Sequence, residues 1–173
     1  MKIPKIMAQF DQRPALFMAS GEYEAKFYLA LNGEISLINT LKMPPREEAR
    51  EKQAFVGIKG GRYGLAAVSH KGGYIEDLKK KFARKVHGVI HDILAKYDIM
   101  EIHFFTPRFV SERVIQKLDK SERKKVKLII SKEFTKKNPL EMIKILSQQE
   151  EQLTKPVSPI KKEAEKILRN KKD

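Results

Sequence analysis

Residues 15–41 carry the pattern that most limits how this chain can fold. A short apolar run opens the segment, and from Tyr23 to Leu31 apolar and polar side chains then alternate, as in a half-buried strand. Asn32 and Gly33 follow, the pair preferred in two-residue hairpins, and a further strand extends to Leu41. The segment therefore predicts three antiparallel strands.

The second half of the chain alternates helix and strand. One apolar stripe recurs at steps of three and four residues, which predicts a long amphipathic helix; its members are Ile75, Leu78, Phe82, Val86, Val89 and Ile93. Further strands are predicted at 99–106 and 127–131, with helices at 110–118 and from Pro139, where Asn138 is a suitable N-cap and Glu141 occupies the capping-box position. Ser121 is a possible cap for an additional turn. A further pair of strands is predicted at 54–58 and 64–69. The expected fold is α/β, a mixed sheet with helices packed against it.

Composition narrows the function classes. The chain has 173 residues, with 36 Lys and Arg against 22 Asp and Glu, a formal net charge of +14, and no cysteine. The absence of cysteine excludes a disulfide scaffold, thiolate metal sites and a cysteine nucleophile. No apolar run reaches the ~18 residues of a transmembrane helix and no signal sequence opens the chain, so we expect a cytoplasmic protein. We expect one domain at 1–153 and a basic, mobile tail at 154–173.

The positive charge is concentrated toward the C-terminal half. Residues 111–140 contain ten Lys and Arg against four Asp and Glu, and the tail contains seven against three. Clustered cations favour binding to a polyanionic partner, because affinity for phosphate grows with the number of cations that meet one backbone. A lysine-rich solvated surface is the alternative interpretation.

The stretch from Lys85 to Leu146 resembles a known family. Residues 104–109 read Phe-Phe-Thr-Pro-Arg-Phe, residues 132–135 read Lys-Glu-Phe-Thr, and Leu140-Glu141 follows. These features resemble the bacterial and archaeal "host attachment protein" family, which is similar to the middle domain of archaeal and eukaryotic class-1 peptide release factors. The resemblance covers roughly residues 12–150 and implies a sheet of the ribonuclease-H-like kind.

The resemblance also implies a functional loop. Release factors place a Gly-Gly-Gln loop before the long helix, where its glutamine meets the peptidyl-tRNA ester. The equivalent position here reads Lys71, Gly72, Gly73, Tyr74, so the glutamine is replaced by a tyrosine. A phenol cannot replace that glutamine in orienting water, but it can stack on a base. A simple strand-to-helix turn is the alternative for the glycine pair.

Other chemistry finds less support in the sequence. His87 and His91 have the i, i+4 spacing of two metal ligands, and His103 lies on a strand that could pass nearby, but we favour structural roles for these residues. A ribonuclease-H-type nuclease needs converging carboxylates, and residues 15–20 contain none. We expect no metal, no cofactor and no catalytic residue.

The sequence thus predicts a non-catalytic, RNA-binding, translation-associated protein that acts at the ribosome or on tRNA. The predicted RNA-binding residues are Arg62, Lys71, Gly72, Gly73, Tyr74, Lys79, Lys80, Arg84, Lys124 and Lys125. Two alternatives stay open: a residual peptidyl-tRNA or ester hydrolase that uses the same loop, and a protein-interaction module that works through the basic tail.

Overall fold

The computed structural model describes residues 1–44 and 69–154, with residues 69–74 and 152–154 as backbone only. The elements in this part of the chain are β1 (Ala15–Ser20), β2 (Glu24–Leu31), β3 (Glu34–Lys42), α1 (Ser69–Lys96), β4 (Glu101–Phe105), α2 (Arg108–Lys117), α3 (Lys120–Lys125), β5 (Val126–Ile130) and α4 (Pro139–Thr154). The predicted strands at 54–58 and 64–68 and the tail beyond Thr154 lie outside the described residues, and Ser69 belongs to α1.

The five strands form one mixed sheet in the order β3-β2-β1-β4-β5. β2 pairs antiparallel with both β1 and β3, whereas β1, β4 and β5 run parallel. This order, in which β2 alone runs against the other strands, is that of a ribonuclease-H-like sheet. The predicted fold class is therefore confirmed.

The turn between β2 and β3 is the predicted two-residue hairpin. Asn32 and Gly33 both have positive φ, 48° and 75°, as a type I′ turn requires. Ala30 faces Ile35 and Leu31 faces Glu34 across the turn, so this turn sets the register of the pair.

The sheet is covered on both faces, which the alternation in β2 did not indicate. On one face, β2 residues Ala25 and Phe27 pack with α1 and α2 in a first core. On the other, Tyr28 and Ala30 are buried with α4 in a second core. β2 is thus buried on both sides rather than half-buried, because α4 returns across the face that carries Tyr28.

Two helices, α1 and α3, begin at positions other than those predicted. The backbone of α1 is helical from Ser69, so Gly72 and Gly73 lie within the helix instead of in a loop before it. Two glycines cost a helix roughly 2 kcal/mol relative to alanine, which a helix of 28 residues with a buried apolar face can offset. Asp119, not Ser121, caps α3. The Asp119 side chain accepts from the Glu122 N–H, and the Glu122 carboxylate accepts from the Asp119 N–H.

The predicted start of α4 is confirmed. The Leu140 N–H donates to Asn138 Oδ1 at 3.0 Å, as expected for an asparagine N-cap. The Glu141 carboxylate lies 3.8 Å from the Lys137 ammonium, one turn earlier.

Candidate nucleic-acid interface

A cleft of about 490 Å³ separates α1 from α2 on the first-core side of the sheet. The packing of α2 positions the cleft: Val110, Val114 and Leu118 are buried in the first core together with residues of α1, and Arg113 and Lys117, each one position before a buried residue, flank the buried side of the helix. We call this site the basic cleft; its lining residues are Glu76, Lys80, Ala83, Arg84, Arg113, Gln116 and Lys117.

The cations of the basic cleft form two pairs, one on each wall. Lys80 and Arg84 lie one turn apart on α1, and Arg113 and Lys117 lie one turn apart on α2. Four residues of α-helix advance about 6 Å, which is close to the distance between successive phosphates of a single nucleic-acid strand. The two walls therefore offer matched rows of positive charge to one extended polyanion.

Three of the four cations have no acidic partner in the described part of the chain. Among the described residues, Lys80, Arg84 and Lys117 form no ion pair. The fourth, Arg113, forms an ion pair with Glu76 on the facing wall. The lining of the basic cleft therefore has a net charge of +3, which favours the approach of an anion.

Arg113 is the most constrained of these side chains. Glu76 binds Nη2, and Nη1 is buried without a hydrogen-bond partner among the described residues. A guanidinium fixed by one carboxylate keeps donors for a second anionic acceptor, and two oxygens of a phosphate can fill that role.

A fifth cation, Lys79, lies over an aromatic ring beside the basic cleft. Lys79 Nζ is 4.7 Å from the centre of the Phe109 ring, a cation–π distance. Phe109 is half-buried at the start of α2 and packs against the first core. Lys79 therefore joins α1 to α2 as well as adding charge.

α3 fixes the C-terminal end of the α2 wall. Arg123 donates from Nε to the Leu118 carbonyl at 2.8 Å and from Nη2 to the Gln116 carbonyl at 2.7 Å. These bonds use carbonyl groups that the end of a helix leaves free, and they position the turn that carries Gln116 and Lys117.

The structure brings together some of the predicted RNA-binding residues. Lys80 and Arg84 line the basic cleft, and Lys79 stands next to it. Lys124 and Lys125 lie on α3, near the far end of α2, and are not lining residues. Residues 71–74 belong to the backbone of α1, and Arg62 lies outside the described residues.

Sequence reasoning missed Glu76, Phe109, Arg113 and Lys117. The i, i+4 spacing of Arg113 and Lys117 on a helix with Val110 and Val114 on its buried side was the available signal. That spacing shows that the two cations share a face, but not that this face meets α1.

The ends of β1 and β4 carry hydroxyl groups rather than carboxylates. Ser20 Oγ and Thr106 Oγ1 are 2.7 Å apart and fully buried. Glu133 approaches from the segment after β5, where it accepts a hydrogen bond from Thr135 Oγ1 at 2.8 Å. Within 1–44 and 69–154, no three His, Asp or Glu residues are placed to hold a metal ion.

The histidines do not converge. His87 and His91 have ring centres 6.4 Å apart on α1, and His91 Nδ1 lies 3.3 Å from Glu122 Oε1. His103 packs on Phe17, which belongs to the second core on the opposite face of the sheet. The expectation that the His103 strand could bring this residue close to the pair is wrong, because successive β-strand side chains point to opposite faces.

The fold and the site together define a mixed α/β domain of the ribonuclease-H-like kind with a cationic cleft between two helices. No family model and no curated protein matches the chain. One solved structure that matches is the crystal structure of an archaeal translation termination factor, aRF1, with 11% identity and a TM-score of 0.38. The match covers 81% of this chain and 40% of that one. The fold assignment itself rests on the strand order and directions given above.

No helix in residues 1–44 and 69–154 has the length and apolar character needed to cross a membrane.

Proposed function

We propose that this chain is a non-catalytic RNA-binding protein that acts at the ribosome or on tRNA, and that the basic cleft is one of its RNA contacts. The observation that supports the proposal most directly is the pair of facing cation rows, Lys80 with Arg84 and Arg113 with Lys117. The place in translation rests on the sequence: the Pro-Arg-Phe and Lys-Glu-Phe-Thr motifs and the Gly-Gly-Tyr segment resemble a release-factor middle domain.

The dimensions of the basic cleft favour a single strand over a duplex. A groove between two helices, with cations on both walls, can enclose one backbone, whereas a duplex would meet only the rim. Single-strand binders combine a positive groove with aromatic platforms for bases. Tyr74, upstream on α1, is the proposed platform.

The proposal extends along α1 and α3. Lys71, Gly72 and Gly73 would meet the strand before the basic cleft, and Lys124 and Lys125 would meet it after α2. Arg62 belongs to the same proposed footprint. These residues add length to the footprint, so their loss would shorten the bound segment.

The test is fluorescence anisotropy with a labelled single-stranded RNA oligomer over a salt series. The variants are Lys80→Gln/Arg84→Gln and Arg113→Gln/Lys117→Gln. The matched control is Lys5→Gln/Lys144→Gln, because Lys5 and Lys144 are exposed and belong to segments that pack on the second core. Each lost phosphate contact should reduce the slope of log K against log salt by about 0.7, so each cleft pair should reduce it by about 1.4.

Unchanged slopes in both cleft variants would rule out the basic cleft as an RNA contact. Co-sedimentation with purified ribosomes, using the same proteins, then tests the place in translation. A chain that binds the oligomer but stays in the supernatant with ribosomes at every salt concentration would contradict action at the ribosome.

A further inference from the structure

A second cavity, on the opposite face of the sheet, contains a buried side chain with unmet hydrogen bonds. His103 has no exposed surface, and neither Nδ1 nor Nε2 has a hydrogen-bond partner among the described residues. The ring packs on Phe17 with 4.7 Å between ring centres. A buried polar group without a hydrogen-bond partner is costly, so it points to a bound molecule.

The space beside His103 is large enough for that molecule. The cavity has a volume of about 220 Å³. Its polar lining, apart from His103, comes from Glu101, Lys127, Gln149 and Glu150, and its apolar walls come from Leu128 and Leu146. Water takes up about 30 Å³ per molecule, so the cavity holds either several waters or one compact organic molecule. We call it the His103 cavity.

The charge state of the imidazole defines what it can bind. Burial, and to a smaller extent the positive charge of Lys127, lower the pKa of His103 to about 4. The ring is therefore neutral at physiological pH, with one donor and one acceptor. The ionisable groups around it are Glu101, Lys127 and Glu150, which line the cavity, and Arg13, which pairs with Glu101.

Glu101 and His103 together form an acceptor site for a cationic donor. Arg13 binds Glu101 Oε1 at 2.8 Å, and Glu101 Oε2 lies 3.5 Å from His103 Nε2. In the tautomer protonated at Nδ1, His103 Nε2 is an acceptor, as is Glu101 Oε2. An ammonium nitrogen can sit at a normal hydrogen-bond length of about 2.9 Å from each of them. A metal ion is less suitable, since the described residues offer no third ligand.

The loop that borders this region is strained. Phe10 and Gln12 have φ values of 55° and 54°, in the left-handed region that non-glycine residues avoid. This loop lines an adjoining cavity of about 170 Å³, which shares Glu101 with the His103 cavity. Backbone strain of this kind clusters at binding sites, where the surrounding structure maintains it.

From the geometry, we propose that the His103 cavity binds a small zwitterion of the amino-acid class. Its ammonium lies between Glu101 and His103, its carboxylate pairs with Lys127, and its carbon chain contacts Leu128 and Leu146. Gln149 supplies a further amide to the polar end. This site does not depend on RNA binding, because it lies on the α4 face of the sheet and shares no residue with the basic cleft.

The test uses the full-length, isotope-labelled chain and a mixture of the standard L-amino acids, each at millimolar concentration. We expect saturable shifts of amide and imidazole signals near His103 and Lys127, and one amino acid should reproduce them alone. For that amino acid, the corresponding amine without the carboxylate and the acid without the ammonium should each bind at least about tenfold more weakly, since each lacks one charge-assisted bond.

Two variants test whether the ligand binds in the His103 cavity. Lys127→Met should weaken binding at least about tenfold, because the carboxylate loses its partner. The matched control, Lys144→Met, changes an exposed lysine of α4 that does not line the cavity and should bind as the unmodified chain does. His103→Phe should abolish binding while the protein stays folded, because phenylalanine can still pack on Phe17.

Three outcomes would overturn the proposal. If no amino acid gives a saturable shift, water alone fills the cavity. If Lys127→Met binds as tightly as the control, the ligand lies elsewhere. If the amine or the acid binds as well as the amino acid, the zwitterion is not the recognised class. Lys127→Met also keeps the test decisive if His103→Phe fails to fold.

Discussion

The hydroxyl groups of Ser20 and Thr106 form a fully buried hydrogen bond of 2.7 Å that joins the ends of β1 and β4. Both residues lie at the C-terminal ends of these two parallel strands. One hydroxyl donates to the other, and the remaining proton can go to a carbonyl: the Gly21 oxygen lies 3.2 Å from Ser20 Oγ, and the Pro107 oxygen lies 3.4 Å from Thr106 Oγ1. The pair is internally satisfied, which gives it a structural role in aligning the two strands.

The two hydroxyls should therefore be coupled: the stability losses of the two single variants should add up to more than the loss in the double variant. Ser20→Ala leaves the buried Thr106 hydroxyl with only its long bond, and Thr106→Val does the same to Ser20, so each should destabilise the fold by roughly 1–3 kcal/mol. The double variant should cost about 1 kcal/mol less than the sum of the two. Urea unfolding of all four proteins measures this coupling. Strict additivity would contradict it, and Ser131→Ala, at an exposed serine, serves as the control.

The buried imidazole of His103 should make stability fall with acid. An unfolded histidine has a pKa of about 6.5, and burial lowers the pKa of His103 to about 4. Between these values the unfolded chain binds a proton that the folded chain does not, so the free energy of unfolding decreases as the pH falls through this window. The expected loss between pH 7 and pH 5 is about 2 kcal/mol.

His103→Phe should remove this part of the pH dependence, measured as the unfolding midpoint in urea at a series of pH values. His91→Gln is the control, because the His91 side chain is 68% exposed. A slope that is the same in His103→Phe and in the unmodified chain would show that other groups cause the acid sensitivity.

Glu76 opposes the anion that the basic cleft is proposed to bind. Glu76→Gln keeps an oxygen that can accept from Arg113 but removes the negative charge. RNA affinity should then rise by about two- to fivefold, the scale of one partly exposed charge. Asp77→Asn is the matched control, since Asp77 is the next residue on α1, is exposed and does not line the cleft. Weaker RNA binding by Glu76→Gln would indicate that Arg113 depends on the full charge of its partner.

Tyr74 is the proposed stacking residue upstream of the basic cleft. If its ring stacks on a base, Tyr74→Ala should weaken RNA binding by roughly 1–3 kcal/mol, whereas Tyr74→Phe should retain the affinity. Titration of the labelled oligomer with the three proteins at one salt concentration separates these results. Equal affinities for the alanine variant and the unmodified chain would remove Tyr74 from the proposed site.

The β2–β3 turn offers a test of the fold itself. Gly33→Ala places a Cβ at a residue with φ of 75°, where it would also lie 2.9 Å from Gln9 Oε1. The expected cost is about 1–2 kcal/mol. Asn32→Gly should cost less, because glycine adopts positive φ without strain and only the exposed hydrogen bond from the Gln12 N–H to Asn32 Oδ1 is lost. Thermal unfolding of both variants measures the difference, and equal stabilities would contradict the type I′ geometry.

Local patterns predicted most of the architecture. The hairpin at Asn32 and Gly33, the apolar stripe of α1 and the cap at Asn138 each depend on residues close in sequence, and all three agree with the structure. Helix and strand periodicity also predicted the order of elements, from which the mixed sheet follows.

Relationships between distant segments were not predictable in the same way. The burial of Tyr28 depends on where α4 returns, and the ion pair of Glu76 with Arg113 depends on how α1 meets α2. His103 is a polar residue in a mainly apolar strand, and only the packing of both sheet faces shows that its ring is enclosed. The start of α1 before Gly72 was missed because glycine pairs usually interrupt helices.

The central position of β1 has a consequence for how the chain folds. β2 and β3 follow β1 directly, whereas the strand on its other side, β4, is distant in sequence: Ser20 and Thr106 are 86 positions apart. Closing so large a loop is slow compared with forming the hairpin. During synthesis from the N-terminus, the edge of β1 that pairs with β4 therefore stays unpaired until β4 has been made. Nascent chains that stop before Glu101 should expose this apolar edge, aggregate more readily than the complete chain and be preferred clients of chaperones.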